Sequence, residues 1–160
     1  MNPTEVRNSM KLTSLVFAEG QTLRRTYTAD GADVSPALQW TYVPAGTKSL
    51  AVICRDVDAP CGTFTHWLVY NIPGTASGLP EGLPRQEKLN DGSIQGENDF
   101  RVTGYSGPKP SRGKTHNYHF ELYALDTVLP VETGVNAARL LELMRDHILA
   151  TGKLMGTYRR

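Results

Sequence analysis

Two apolar runs of strand length limit what this chain can fold into. Leu50–Cys54 is apolar at every position, and Phe64–Ile72 carries apolar side chains at odd and even positions alike. Successive side chains of a strand point to opposite faces, so both runs are expected to be buried on two sides. They predict central strands of a layered β structure. In the second run, alternation puts four side chains on one face: His66, Leu68, Tyr70 and Ile72.

The rest of the pattern predicts a mainly β domain with one helix. Lys11–Phe17, Leu38–Tyr42 and Tyr118–Leu125 predict further strands, and alternation puts His116 on the same face as Tyr118.

The predicted helix covers 136–150, because Asn136 can cap it, apolar residues recur at helical spacing and Gly152 can end it. Lys153–Tyr158 predicts a last short strand. Pro73–Gly104 is rich in Pro, Gly, Asn and Asp and predicts a long loop, a kind of segment that often carries function.

Length and charge exclude several classes of protein. The 160 residues predict a single domain over 10–160 with a loose extension over 1–9. Since 17 basic residues face 16 acidic ones, the overall charge does not favour nucleic acid as a partner. No stretch has the apolar length of a transmembrane segment, and no secretory signal stands at the start. With two cysteines that suggest no disulfide framework, a cytoplasmic location is expected.

Two loops place chemistry-bearing residues at the starts of apolar runs. The first contains Asp56, Asp58 and Pro60 and leads to His66; the second, Gly104–Lys114, leads to His116. If the runs lie side by side, two imidazoles and two carboxylates meet over a glycine-rich backbone with free N–H groups. Such an arrangement can hold a small anion, such as a phosphate head group.

Plainer interpretations stand beside this one. Aspartates near a proline often only shape a turn, a histidine at a strand start is often structural, and Lys109, Arg112 and Lys114 are compatible with a solvated basic loop. Metal-ligand spacing is absent, so no metal is predicted. Phosphate-loop, dinucleotide, nucleophile-elbow and kinase signatures are also absent, so no cofactor and no catalytic residue are predicted.

At these residues the chain resembles the phosphatidylethanolamine-binding protein family, in its bacterial and archaeal Raf-kinase-inhibitor-like branch. The matching strings run from about Met10 to Arg160 in one order. They are KLTS (11–14), DGADVSPALQW (30–40), DVDAP (56–60), HWLVYNIP (66–73), GYSGP (104–108), HNY (116–118) and LYALD (122–126).

The resemblance implies a large central antiparallel sheet packed on a smaller sheet, with peripheral helices. It implies a pocket for phosphate or phospholipid head groups, and it admits a protein partner and a homodimer. It also makes the Ala59–Pro60 bond a candidate cis peptide. Carried over by position, the ligand-binding residues would be Asp56, Asp58, Pro60, His66, Gly107, Pro108, His116 and Tyr118.

Three positions depart from the family pattern. Val57 and Ser111 stand where proline is usual, and Asn117 stands where arginine is usual. Strand alternation points Asn117 away from His116, so the anion site is expected to persist without that arginine.

The main functional hypothesis is therefore a non-catalytic binding protein with a small anion pocket. A regulator that inhibits a protease or kinase through the 73–104 loop is one alternative. A hydrolase or acid–base enzyme using the Asp and His residues is the other.

Overall fold

The computed structural model of this chain describes Arg7 and residues 9–160. It contains short and long strands, one α-helix and a 3-10 turn at Arg25–Tyr27. In chain order the elements are β1 Lys11–Thr13, β2 Leu38–Thr41, β3 Ser49–Asp56, β4 Phe64–Pro73, β5 Gly78–Leu79, β6 Ile94–Gln95, β7 Thr115–Leu125, α1 Ala137–Met144 and β8 Ile148–Arg159.

The strands form two antiparallel sheets, as predicted. The larger has five strands in the order β6-β4-β3-β7-β8, and the smaller has three in the order β1-β2-β5. The apolar run Leu50–Cys54 lies in β3, at the centre of the larger sheet. The sequence prediction of a mainly β fold with a large and a small sheet is confirmed.

The larger sheet buries apolar side chains on both faces. On one face, Val52 and Phe120 pack in a cluster that includes Trp40 of the smaller sheet. On the other face, Ile53 packs in a cluster that includes Leu140 of α1. Alternate residues of β3 thus enter different cores, which is why the run is apolar at successive positions.

The helix is shorter than the predicted 136–150. Asn136 caps it as expected, its Oδ1 accepting from Arg139 N at 2.9 Å, but α1 ends at Met144. Asp146 adopts a positive φ of 67°, which stops helical propagation, and Ile148 opens β8. Gly152 therefore lies inside a strand. A Cβ there would lie 2.8 Å from the carbonyl oxygen of Met10.

Two irregularities in β4 change which face its side chains reach. The pairing with β3 shifts between Cys54 and Arg55 and again between Leu50 and Val52. As a result, His66 contacts Tyr118 and Ile72 joins the core between the two sheets, whereas Leu68 and Tyr70 lie in the core under α1. The prediction that all four share one face is wrong, because a β-bulge shifts the alternation that follows it. Asn71 marks the second bulge with a φ of 55°.

The predicted loose extension over 1–9 lies mostly outside the described residues. Of that segment, Arg7 accepts a hydrogen bond from the backbone N–H of Thr151 at 2.8 Å. Within the described part of the chain, no helix is long and apolar enough to cross a membrane.

The bulge at Asn71 generates a stability prediction. Its amide donates to Leu129 O and accepts from Leu129 N, both at 2.8 Å, and its backbone is left-handed. Asn71→Ala should lower the free energy of unfolding by about 2–4 kcal/mol, since it removes both bonds and keeps a Cβ at positive φ. Urea unfolding measures the change.

Asn71→Gly is the matched control. It loses the same two bonds but tolerates the positive φ, so it should be destabilised by about 1 kcal/mol less. Equal losses in the two variants would contradict a backbone contribution.

Candidate functional site

A small hollow opens where β3, β4 and β7 meet the 56–64 and 106–114 loops. Its volume is about 170 Å³. Its lining consists of Asp56, Ala59, Pro60, Phe64, His66, Phe100, Lys109, Pro110, Ser111 and His116. We call it the histidine hollow. It brings together four of the residues that the sequence suggested: Asp56, Pro60, His66 and His116.

Asp56 and His116 form a buried pair across two neighbouring strands. The pairing of β3 with β7 sets Asp56 opposite Tyr118, so His116 extends just beyond the end of β3. Its Nδ1 donates to Asp56 Oδ2 at 2.7 Å, with the side chains only 10% and 6% exposed. The other oxygen, Oδ1, accepts from Asp58 N at 2.9 Å. Since Nδ1 is held by the carboxylate, Nε2 is the ring nitrogen available to a ligand.

His66 is held differently, by a backbone carbonyl. Its Nδ1 lies 2.6 Å from Ser106 O. Because a carbonyl oxygen can only accept a hydrogen bond, Nδ1 must carry the proton. Burial lowers the pKa of His66 below its ordinary value of 6.5, although the Ser106 hydrogen bond and the charge of Asp56 oppose the shift. The ring is therefore neutral at pH 7 and its Nε2 carries a lone pair. His66 therefore presents a hydrogen-bond acceptor.

Tyr118 lies behind the two imidazoles. Its ring centroid is 5.4 Å from that of His66 and 6.4 Å from that of His116. Its hydroxyl is buried without a hydrogen-bond partner among the described residues. Burial, and then the nearby negative charge of Asp56, raise the pKa of Tyr118, so the phenol stays protonated.

Asp58 lies outside the hollow. It is exposed, and its Oδ2 accepts from Asn117 N at 2.7 Å and from Asn117 Nδ2 at 2.9 Å. These bonds join the 56–64 loop to the start of β7. As alternation predicted, Asn117 points away from His116 and toward this loop.

Gly107 and Pro108 support the hollow from behind. The N–H of Gly107 donates to Asp33 Oδ1 at 2.7 Å, so this N–H is not free for an anion as the sequence suggested. A Cβ at Gly107 would collide with the carbonyl oxygen of Tyr27, which explains the glycine. Pro108 is buried, and its carbonyl accepts from Ala29 N at 3.0 Å. This segment fixes the position of Ser106, the partner of His66.

The Ala59–Pro60 bond is trans, contrary to the expectation from the family resemblance, and the described residues contain no cis peptide. The loop reverses by other means. Asp58 N donates to the Asp56 carboxylate, Gly62 N donates to Ala59 O at 3.1 Å, and Gly62 has a φ of 107°. A side-chain-capped turn and a left-handed glycine together reverse the chain.

Sequence reasoning missed three contributing residues, two aromatic and one polar. Phe64 and Phe100 pack edge-on against the His66 ring, at 5.2 and 5.4 Å between centroids, and form an apolar mouth. Asn98 is buried: its Nδ2 donates to Ser106 Oγ at 3.1 Å and its Oδ1 accepts from Phe100 N at 2.9 Å. Asn98 and Phe100 lie in the 73–104 segment, where only the abundance of loop-forming residues gave a signal.

No group of three or more His, Cys, Asp or Glu residues that could hold a metal ion occurs in the part of the chain that the structure describes. The side chains that line the hollow offer hydrogen bonding and charge. Lys109 offers a donor, His66 offers an acceptor, and His116 donates at Nε2 only when its ring is protonated.

The fold and this hollow define a class: a two-sheet β domain with an Asp–His pair at the end of its central strands. The family model of phosphatidylethanolamine-binding protein matches residues 13–159. The chain belongs to this family. Membership supports a binding protein.

Known relatives match nearly the whole of this chain. A UPF0098 protein of Methanothermobacter thermautotrophicus is 47% identical over 151 residues, which cover 94% of this chain and 99% of the relative. The UPF0098 protein PH1269 of Pyrococcus horikoshii is 42% identical over 159 residues, which cover 98% and 79%.

Two solved structures are also similar. The phosphatidylethanolamine-binding protein homologue CT736 of Chlamydia trachomatis is 40% identical with a TM-score of 0.86, over 96% of this chain and 99% of that one. YbcL of E. coli, described as a member of the mammalian family, is 35% identical with a TM-score of 0.88, over 94% and 98%.

The lowered pKa of His66 predicts a pH dependence of stability. As the pH falls through 6.5, an unfolded His66 gains a proton while the buried ring resists it. Stability from this residue is therefore complete above pH 6.5 and is lost as the pH falls toward the lowered folded value. Urea unfolding from pH 7.5 to 5.5 should show this loss, and His66→Gln should show a smaller one.

The comparison between the two proteins isolates His66, because the other three histidines are present in both. The same slope in wild type and variant would contradict a neutral, buried His66.

Proposed function

We propose that the chain is a non-catalytic binding protein whose histidine hollow takes a phosphate-like anion, either free or as the head group of a phospholipid. The observation that carries the proposal is the Asp56–His116 pair. The carboxylate occupies Nδ1 and leaves Nε2 of the same ring for a ligand in the hollow. The ring thus offers the ligand a donor at Nε2 that is present only when His116 is protonated.

The charge balance of the hollow depends on the protonation of His116. With Nδ1 occupied by Asp56, Nε2 can donate only when the ring is the imidazolium. Lys109 adds an ammonium to the lining. An anion that binds to both groups stabilises the imidazolium, so binding takes up a proton.

His66 favours a ligand that carries a donor as well as a charge. Its neutral ring presents a lone pair at Nε2, because Nδ1 donates to Ser106 O. A singly protonated phosphate, or an ammonium elsewhere on the ligand, satisfies such an acceptor. A fully unprotonated anion such as sulfate leaves this acceptor to water and is expected to bind more weakly than phosphate.

The size of the hollow limits which part of a ligand enters. Pockets for drug-sized ligands are roughly 300–1,000 Å³. At about 170 Å³ this hollow suits a head group, and the remainder would lie at the mouth against Phe64 and Phe100. Phe100 is 42% exposed, so apolar surface is available there.

Sulfate binding as a function of pH tests the proposal. Sulfate does not titrate between pH 5 and 8, so any pH dependence comes from the protein. Calorimetry should show affinity that falls as the pH rises through the histidine range, by at most about tenfold per pH unit for one coupled proton. A flat curve would contradict the role of His116.

Two variants make the test specific. His116→Ala should weaken phosphate and sulfate binding by about tenfold or more and flatten the pH profile, since a hydrogen bond to a charged group contributes about 1.5–3 kcal/mol. His147→Ala is the control: it breaks an Asp–His pair of nearly equal length, 2.8 Å to Asp126, on the surface away from the hollow. Equal effects of the two substitutions would count against the site.

The acid–base alternative is tested with the same proteins. A buried Asp–His pair with one open ring nitrogen also suits a general base. Turnover of phosphomonoesters or carboxylic esters by the wild type, abolished in His116→Ala, would replace the binding hypothesis with an enzymatic one.

A further inference from the structure

A second, larger hollow lies beside the first and has a different chemistry. It has a volume of about 500 Å³, and shares no lining residue with the histidine hollow. Five of the chain's 17 basic residues line it, together with one acidic side chain. They are Arg24, Arg25, Arg112, Arg159 and Arg160, with Asp30. We call it the arginine hollow.

Asp30 holds part of this cluster in place. Its Oδ2 accepts from the Tyr158 hydroxyl at 2.8 Å and its Oδ1 accepts from Arg160 Nε at 3.0 Å. Its backbone carbonyl accepts from Arg25 at 3.4 Å. The Tyr158 bond, the charge of Arg160 and that of Arg25 together hold the pKa of Asp30 below its ordinary value. Asp30 thus orients two guanidinium groups, that of Arg160 through its carboxylate and that of Arg25 through its backbone carbonyl.

Three guanidinium groups of the arginine hollow have no acidic partner within the described part of the chain. Among the described residues, Arg24, Arg112 and Arg159 form neither an ion pair nor a side-chain hydrogen bond.

Elsewhere in the described fold, three arginines are paired with acidic side chains, one of them Arg85 with Asp33 at 3.1 Å. Arg55 pairs with Glu121, and Arg139 pairs with Glu132 at 2.7 Å. The positive charge of the arginine hollow is therefore a local excess in a chain whose formal net charge is only +1.

Such an excess has a physical consequence. Like charges closer than about a Debye length, roughly 8 Å at physiological ionic strength, repel without full screening, and five guanidinium groups share the lining of this one hollow. A bound polyanion removes this repulsion. Guanidinium groups pair with phosphate oxygens through two parallel N–H donors, which favours phosphate over a monovalent anion.

One loop contributes a different side chain to each of the two hollows. Lys109 lines the histidine hollow and Arg112 lines the arginine hollow. Gly113 N donates to Arg160 O at 3.0 Å, which joins this loop to the end of β8. The two hollows are adjacent but formed by different side chains, so one can be disabled without the other.

We propose that the arginine hollow binds a phosphate-dense anion, with two or more phosphoryl groups close together. The source is either a small soluble polyphosphate or the headgroups of an anionic lipid surface. The proposal does not depend on the histidine hollow.

Calorimetry and thermal unfolding with inorganic tripolyphosphate test it. Tripolyphosphate should bind, raise the unfolding temperature and bind more weakly as salt increases, whereas orthophosphate should have much less effect. The double variant Arg24→Gln/Arg159→Gln should weaken tripolyphosphate binding about tenfold or more. Both side chains are exposed, so the variant is expected to fold.

A charge-matched control separates a site from bulk attraction. Lys48→Gln/Arg145→Gln removes two exposed positive charges outside both hollows and should change the affinity less than about twofold. Equal weakening in the two double variants, or no tripolyphosphate and no vesicle binding, would overturn the proposal. His116→Ala should retain tripolyphosphate binding. A failure of the function proposed for the histidine hollow can therefore be told apart from a failure of the arginine hollow.

Vesicles distinguish the two sources. The probe is a vesicle of equal parts phosphatidylcholine and phosphatidylglycerol. Tripolyphosphate binding without vesicle binding supports a soluble ligand. A lipid surface is supported if the wild type binds the vesicles, Arg24→Gln/Arg159→Gln does not, and the control variant still does.

Discussion

The pairing of β3 with β7 is the constraint on which the site depends. Eight residue pairs join the two strands, from Ser49 opposite Leu125 to Asp56 opposite Tyr118. A slip of one residue would turn every apolar side chain of β7 to the wrong core, so burial on both faces fixes the register. That register places the Asp56 carboxylate within 2.7 Å of His116, sixty residues away in sequence. The hydrogen bond is therefore a consequence of core packing at the other end of the same strands.

Regular features of the fold could be predicted from the sequence, because they depend on local periodicity. The two-faced run in β3 and the Asn136 cap are of this kind. The bulges in β4 and the early end of α1 could not, since each depends on a partner distant in sequence. Asn71 adopts its positive φ while bonded to Leu129, and residues after Asp146 extend because β7 offers a strand to pair with. A prediction from the sequence pattern alone continues a strand alternation or a helix past the point where tertiary contacts interrupt it.

The same dependence on tertiary contacts separates the predicted site residues that line the hollow from those that do not. Residue type and position suggested Asp56, Pro60, His66 and His116, and all four line one hollow. Asp58 and Gly107 have equally suggestive types, but their polar groups are engaged by Asn117 and Asp33. Whether a carboxylate or an N–H faces a cavity or a neighbouring loop is decided by three-dimensional placement. Asn98, which supports Ser106 and the Phe100 loop, has no distinctive sequence context at all.

The two hollows differ most in how their charge is controlled. Arginine keeps its charge at every pH at which the protein is folded, so the charge of the arginine hollow is permanent. The histidine hollow contains one ring held neutral by burial and one whose open nitrogen donates only when protonated. A loop of six residues, 109–114, contributes to both hollows, with Lys109 on one side and Arg112 on the other. An anion in the permanent hollow would therefore reduce the positive potential that an anion meets in the adjacent, proton-dependent one.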